Sequence, residues 1–176
     1  MVFPTLLALS VNEFVMDKFT FDRFDIVDLE KKFSEIMKRL INKSKSKFFE
    51  IKYEKNKKGF DTELNFPENN EDFLEAIGNE APAVYCIWLK ETQKEFVPIY
   101  IGHAKEPKTR MGHHLSKKHK ETGAVLKQVK NAVSSEGKIG VTFVKIRPPY
   151  MRVAVEKWLI DRIGKDTLLW NKRGGK

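Results

Sequence analysis

The sequence has little of what characterises disulfide-bonded or membrane proteins. It contains one cysteine, Cys86, which excludes an intramolecular disulfide and a zinc site built on a Cys-x-x-Cys motif. This cysteine falls in an apolar stretch, so a buried and inert thiol is expected. No apolar run approaches the length of a transmembrane helix. The apolar start, 1–11, lacks the basic segment and cleavage site of a signal peptide. We therefore expect a cytoplasmic protein with no membrane segment.

Acidic residues are scarce in the second half of the chain. Residues 1–80 contain 13 lysines and arginines against 16 acidic residues, a net charge of −3. Residues 81–176 contain 20 against 8, a net charge of +12. An excess of positive charge concentrated in one region favours a polyanionic partner, chiefly nucleic acid. A solvated basic surface is the simpler alternative.

The first half of the chain predicts an accessory region of mixed structure. The overall apolar fraction of 41% is enough for a packed core. Apolar residues at helical spacing predict an amphipathic helix over 26–43. A strand is expected over 48–54, and a short helix over 71–78 ends at Gly78. The change in charge places a boundary near residue 79, which separates an accessory region, 1–78, from a second module, 79–176.

The second half has a clearer pattern of strands and helices. The predicted strands are 83–90, 96–102 and 138–146, and the predicted helices are 108–119, 122–134 and 151–163. The order β-β-α-α-β-α predicts a small three-stranded antiparallel sheet flanked by helices. With the N-terminal α/β extension, the expected fold class is α/β (α+β).

The second of these strands runs directly into a cluster of cations and imidazoles. After Gly102 come His103, Lys105, Lys108, Arg110 and the pair His113–His114. Metal binding, nucleotide binding and phosphodiester chemistry would all use such a cluster. A zinc site would need His114, His119 and a third donor, and no cysteine cluster or acidic ligand is nearby in the sequence. Arg110 and His114 are four residues apart and share one helix face, which could equally be solvated.

Two tyrosines lie on the first two strands of this module. If the loop between the strands covers 91–94, Tyr85 lies directly opposite Tyr100 on one face of the sheet. Pro98 introduces a risk of a bulge in this register. An ordinary aromatic cross-strand pair explains the two residues as well as a catalytic pair does.

Glu156 interrupts an apolar stripe on the last predicted helix. Val153, Ile160 and Ile163 lie at helical spacing from it, so the stripe is expected to face the core. A carboxylate in such a place needs a cationic partner or a bound metal. Arg152, four residues earlier, is one candidate partner, and a divalent cation is the other.

Taken together, these residues resemble the GIY-YIG nucleases. "AVY" at 83–85 followed by "YIG" at 100–102 resembles the paired signature of that family. The rest of the ordered set is also present, with Arg110 ten residues after the second tyrosine and His114 four residues after that. The full set is Tyr85, Tyr100, Arg110, His114, Glu156 and Asn171. The resemblance covers about 82–172. Ala83 replaces the first glycine, the gap between the tyrosines is longer than usual, and nothing before residue 80 matches.

The resemblance implies hydrolysis of a nucleic-acid phosphodiester bond with one divalent metal. Glu156 would hold Mg²⁺, with Mn²⁺ as a substitute, and Arg110 would donate to the phosphate oxygens. Tyr100 would position the attacking water, His114 would relay a proton and Tyr85 would bond to the water or phosphate. Asn171 would fix the phosphate or the region around Glu156.

Among the members of this family, the chain most resembles the type II restriction endonucleases. Since five residues follow Asn171, we expect no extended C-terminal DNA-binding domain, and one cysteine is too few for a zinc module. Double-stranded DNA is the expected substrate, with a homodimer and a cognate methyltransferase as partners. Two other interpretations remain open. One is a toxin or mobile-element nuclease with an immunity protein, and the other is a non-catalytic nucleic-acid-binding module.

Overall fold

The computed structural model describes residues 18–20, 26–43, 47–57, 59–117 and 124–171. Seven strands and six helices lie within these residues. The strands are β1 Lys18–Thr20, β2 Phe49–Ile51, β3 Glu54–Asn56, β4 Gly59–Asp61, β5 Ala83–Lys90, β6 Val97–Ala104 and β7 Lys138–Arg147. The helices are α1 Ile26–Ile41, α2 Phe66–Asn69, α3 Glu71–Ile77, α4 Pro107–Leu115, α5 Ala124–Ser134 and α6 Met151–Ile163.

The predicted mixed α/β fold is confirmed, and its sheet is wider than the three strands predicted. β5 lies between β6 and β7 and pairs with both in antiparallel fashion. The outer edge of β7 adds β2 in antiparallel pairing near Val141 and β1 in parallel pairing near Ile146. β3 and β4 form a separate hairpin. The strand predicted over 48–54 is therefore two short strands that belong to different sheets.

Helices cover both faces of the main sheet. Alternate residues of β5 point to opposite faces, as the two-residue period of a strand requires. Val84, Cys86 and Trp88 pack in a cluster with α1 and α6. Tyr85 and Ile87 pack in a second cluster with α3, α4 and α5. Burial of Cys86 within the first cluster raises the pKa of its thiol, in accord with an inert cysteine.

The accessory region predicted over 1–78 contributes to the same core as the rest of the chain. Ile36 and Leu40 of α1 are fully buried against β5, β7 and α6. The carbonyl oxygen of Leu40 accepts a hydrogen bond of 2.6 Å from the Thr142 hydroxyl on β7. The boundary near residue 79 therefore marks a change in charge between two stretches that share one core.

The predicted register of the β5–β6 hairpin is wrong. Tyr85 pairs with Gly102, and Tyr100 pairs with Ile87. The pairing shifts between Ile87 and Trp88, and Trp88 then pairs with Pro98. Pro98 cannot donate a backbone hydrogen bond, and the loop between the strands is longer than the assumed four residues. The tyrosines still lie on one face because the displacement along the strand is two residues, which preserves the side-chain alternation.

The apolar stripe predicted around Glu156 on α6 faces the core only in part, since Ile160 and Ile163 are partly buried and pack against the core. Val153 is 48% exposed, whereas Met151, Val155 and Leu159 are buried. Glu156 therefore lies at the border of the buried face, where its carboxylate reaches a cleft. None of the described helices has both the length and the apolar composition needed to cross a bilayer.

Candidate active site

An open cleft of about 400 Å³ lies between the edge strand β6 and helices α4 and α6. Its walls carry more basic than acidic side chains, and imidazoles line it from both β6 and α4. The lining residues are Tyr100, His103, Ala104, Lys105, Glu106, Thr109, Arg110, His113, Arg152 and Glu156. Three of the six residues predicted for the site, Tyr100, Arg110 and Glu156, therefore reach one cavity from three separate elements.

Gly102 on β6 has no side chain, and the rings of Tyr85 and Tyr100 occupy the space that a side chain would fill. A Cβ atom at this position would lie 2.6 Å from the Tyr85 hydroxyl oxygen and 2.7 Å from Cε1 of Tyr100. The two ring centroids are 6.2 Å apart, in a tilted arrangement. The glycine of the "YIG" motif is thus required by a close approach of side chains.

We expect Gly102→Ala to displace one or both rings. Overpacking a buried site lowers the free energy of unfolding by about 1–3 kcal/mol, and the displaced rings would also lower any activity of the cleft. Chemical denaturation measures the first effect. Gly112→Ala in α4 is the matched control, because its Cβ would have no neighbour within 4 Å and alanine favours a helix. If both variants are as stable as the wild type, Gly102 has no steric role.

Tyr85 and His114 form a buried pair behind the cleft. The Tyr85 hydroxyl lies 3.0 Å from Nε2 of His114, and the two residues are 0% and 1% exposed. The Tyr85 oxygen also lies near the positive charge of Arg110, so we assign the phenol proton to His114. On this assignment the His114 proton sits on Nδ1, which is buried without a partner.

His114 is held in its neutral form. Burial, followed by the charges of Arg110 and His113, lowers the pKa of His114 to about 3. A neutral imidazole accepts the Tyr85 proton and fixes the orientation of the phenol. It takes up a further proton with difficulty, which differs from the proton-relay role expected from the sequence. Burial also raises the pKa of Tyr85 well above 10, so this phenol stays neutral too.

The neutral state of His114 predicts a loss of stability in mild acid. The unfolded imidazole has a pKa near 6.5 and the folded one about 3, so the unfolded chain binds more protons between these values. Stability that is present above pH 6.5 is therefore lost as the pH falls toward 3, by at most about 1.4 kcal/mol per pH unit. Urea denaturation at several pH values measures this effect. The difference in the free energy of unfolding between the wild type and His114→Gln should become smaller as the pH falls. His113→Gln is the control, and a gap for His114→Gln that stays constant with pH would contradict the assignment.

Tyr100 faces the cleft but is also a neutral phenol. Burial and then the charge of Glu156 raise its pKa above 10. Arg110 acts in the opposite direction, through its charge and a hydrogen bond, and hydrogen bonding with the Tyr85 hydroxyl also lowers the pKa of Tyr100. Tyr100 can therefore donate to, or accept from, a molecule in the cleft. It could serve as a base only if further positive charge were bound near Glu156.

Arg110 connects the cleft to the buried pair. Its guanidinium interacts with both Tyr85 and Tyr100, while its Nε is buried with no hydrogen-bond partner. A buried donor without a partner is uncommon, because it has lost its water without a replacement. Because Arg110 also lines the cleft, its guanidinium is available to an anion there.

Glu156 is partnered by a residue that the sequence interpretation left out of the site. Its Oε2 lies 2.7 Å from Nδ1 of His103, and the two side chains are 21% and 30% exposed. The candidate partner Arg152 makes no ion pair with Glu156 in the described structure and instead donates from Nη1 to the carbonyl oxygen of Pro149. His103 directly follows the "YIG" motif on β6. Its contact with Glu156 becomes visible only because α6 packs against β6 in the fold.

The donor set suits a divalent cation that takes most of its ligands from water and substrate. Among the described residues, no group of three or more histidine, cysteine or acidic side chains could hold a metal by itself. Mg²⁺ usually needs only one or two carboxylates and keeps several waters. Glu156, half-buried at an open cleft, offers one such carboxylate. The zinc alternative required His119, which lies outside the described residues.

Asn171 supports the edge strand from behind the cleft. Its Oδ1 accepts a hydrogen bond of 2.8 Å from the Ile101 amide, and its Nδ2 donates one of 2.7 Å to the Ile101 carbonyl. The Trp170 amide likewise donates to the Ile99 carbonyl. Both polar groups of the Asn171 side chain are thus engaged by β6. The structure places Asn171 as a residue that positions the strand carrying Tyr100 and His103.

Comparisons of the chain with protein-family models, with curated proteins and with solved structures found no match.

Proposed function

We propose that this protein is a Mg²⁺-dependent endonuclease that hydrolyses DNA phosphodiester bonds with chemistry of the GIY-YIG type. One observation supports this most strongly: Tyr100, Arg110 and Glu156 line one cleft, and Tyr85 and His114 lie directly behind it. These residues come from β5, β6, α4 and α6, which only the fold brings together. The net charge of +12 in residues 81–176 favours an anionic polymer as substrate.

Each residue would contribute to binding or orienting the scissile phosphate. Arg110, which lines the cleft, would donate to the non-bridging oxygens, where negative charge accumulates in the transition state. Tyr100 would hydrogen-bond to the attacking water and orient it. Mg²⁺ held by Glu156 would supply positive charge that stabilises the transition state and the leaving oxygen. His103 would keep the Glu156 carboxylate turned toward the cleft.

The buried pair would hold this arrangement in place. Tyr85 donates to His114 on one side and interacts with Arg110 and Tyr100 on the other. Because both members are neutral and fully packed, they would fix the positions of Arg110, which would contact the phosphate, and of Tyr100, which would contact the attacking water. Preorganised donors of this kind avoid reorganisation during the reaction.

We further propose a type II restriction role in the cytoplasm, as a homodimer with a cognate methyltransferase. The shared core supports a compact enzyme, since α1 and β2 pack with the catalytic strands and do not form a second body. The experiment is a digest of methylation-free DNAs of known sequence with Mg²⁺, with EDTA and with Glu156→Gln. Discrete fragments seen only with Mg²⁺ and wild-type protein would support the restriction role. A Mg²⁺-dependent smear would support a non-specific nuclease, and a salt-sensitive gel shift without cleavage would support a binding module.

A further inference from the structure

Arg152 forms part of the wall of the cleft that Arg110 also lines. It lies in the first turn of α6, whereas Arg110 lies on α4. Its Nη1 donates to the carbonyl oxygen of Pro149, which holds the guanidinium at a fixed angle to the helix. Its Nε is buried without a hydrogen-bond partner, as is the Nε of Arg110. Two arginine side chains thus line one open cleft from two different helices.

The nearby carboxylate does not neutralise Arg152. Glu156, one helical turn further along α6, is engaged by Nδ1 of His103 at 2.7 Å. A helix rises about 1.5 Å per residue, so the backbones of Arg152 and Glu156 are about 6 Å apart along the axis. This spacing is comparable to that of successive phosphates in a nucleic-acid strand. Lys105, which also lines the cleft, adds positive charge.

We propose that Arg152 binds the phosphate that neighbours the scissile phosphate on the same DNA strand. This inference rests on the proposed function, in which Arg110 binds the scissile phosphate and Glu156 would hold Mg²⁺ beside it. A guanidinium presents several donors in a rigid plane and recognises phosphate in a bidentate manner. The second contact fixes the direction of the strand through the cleft and presents one phosphodiester bond to Tyr100. Sequence motifs alone do not assign this role, since only the fold places Arg152 beside the cleft.

A purely structural role would be different in its consequences. If Arg152 only tied the 148–150 turn to α6 through the Pro149 carbonyl, its replacement would change stability and leave the number of phosphate contacts unaltered. A phosphate contact instead contributes to the dependence of DNA binding on salt. Each neutralised phosphate contributes about 0.9 to the slope of log K against log salt for duplex DNA.

The test is DNA binding by the full chain in EDTA, where cleavage is suppressed. Fluorescence anisotropy with a labelled DNA duplex gives the affinity over a salt series. Arg152→Gln should weaken binding about tenfold, the loss typical of one charge-assisted hydrogen bond, and lower the salt slope by about one. Arg152→Lys should retain the slope and recover part of the affinity, because it keeps the charge but not the planar donors. Arg162→Gln, in the last turn of the same helix, is the matched control.

The outcomes separate this inference from the proposed function. An unchanged affinity and slope in folded Arg152→Gln would overturn the neighbouring-phosphate site and leave the nuclease proposal standing. A wild-type protein that binds no DNA at any salt concentration would overturn both. If Arg152→Gln does not fold, Arg152→Lys decides: a DNA affinity equal to that of the wild type would overturn the site, because a bidentate phosphate contact requires the planar guanidinium.

Discussion

Glu156→Gln is expected to abolish cleavage while leaving DNA binding largely intact. The substitution keeps the size of the side chain but removes the negative charge that would hold Mg²⁺. A metal ion contributes several kcal/mol to the stabilisation of a phosphoryl transition state, so the rate should fall by about a thousandfold or more. DNA affinity in EDTA should stay the same or rise slightly, because one negative charge leaves a cation-lined cleft. Single-turnover cleavage over a Mg²⁺ titration, together with anisotropy in EDTA, measures both effects.

Asp161→Asn is the matched control for this change. Asp161 is an exposed acidic residue on the same helix and lies outside the cleft lining, so its cleavage rate should match that of the wild type. Substantial Mg²⁺-dependent activity in Glu156→Gln would rule out the metal assignment. Equal losses of cleavage and of DNA binding would instead indicate that Glu156 supports the structure of the cleft.

The strands and helices of the second half could be predicted closely because local patterns determine them. The bounds of β5 and of α6 match the sequence prediction, since an apolar run and a helical repeat each begin and end at clear signals. The hairpin register could not be derived in the same way. It depends on the pairing shift near Trp88 and Pro98, which is a contact between strands.

The sequence predicted those members of the candidate site whose residue type indicates their chemistry. It did not predict the contacts between distant parts of the chain. Tyr100, Arg110 and Glu156 converge as the sequence pattern led us to expect. The partner of Glu156 is 53 residues away in the chain, and nothing near either residue indicates it. The engagement of Asn171 with Ile101 likewise depends on an edge strand whose outer backbone groups need partners.

The neutral states of the buried groups could not be predicted from the sequence either. His114 follows another histidine on a basic helix, and this pattern predicts a solvated helix face. Only the tertiary packing reveals that it is 1% exposed and that burial is the main cause of its low pKa. The sequence therefore indicates which groups are present, and the packing decides their charges.

Arg110→Ala is expected to lower kcat by about a hundredfold or more, the loss seen when a preorganised transition-state donor is removed. Arg110 is the cation that interacts with both tyrosines, and it also lines the cleft. Its loss removes the donor to the phosphate oxygens and the charge that lowers the pKa of Tyr100. Steady-state cleavage assays would measure the fall in kcat, and the pH–rate profile would report the titration of Tyr100.

The pH dependence of kcat separates the loss of the donor to the phosphate oxygens from the loss of the charge near Tyr100. Because the Arg110 charge lowers the pKa of Tyr100, its removal should move any alkaline limb that reflects Tyr100 to higher pH. Arg110→Lys should recover part of this shift through its charge while regaining little of kcat, since an ammonium cannot reproduce the planar donor geometry. Lys108→Ala, an exposed cation on the same helix, is the control for general loss of positive charge. A loss of only twofold in Arg110→Ala would contradict its role at the phosphate, because a donor aimed at accumulating charge contributes far more than a solvated cation does.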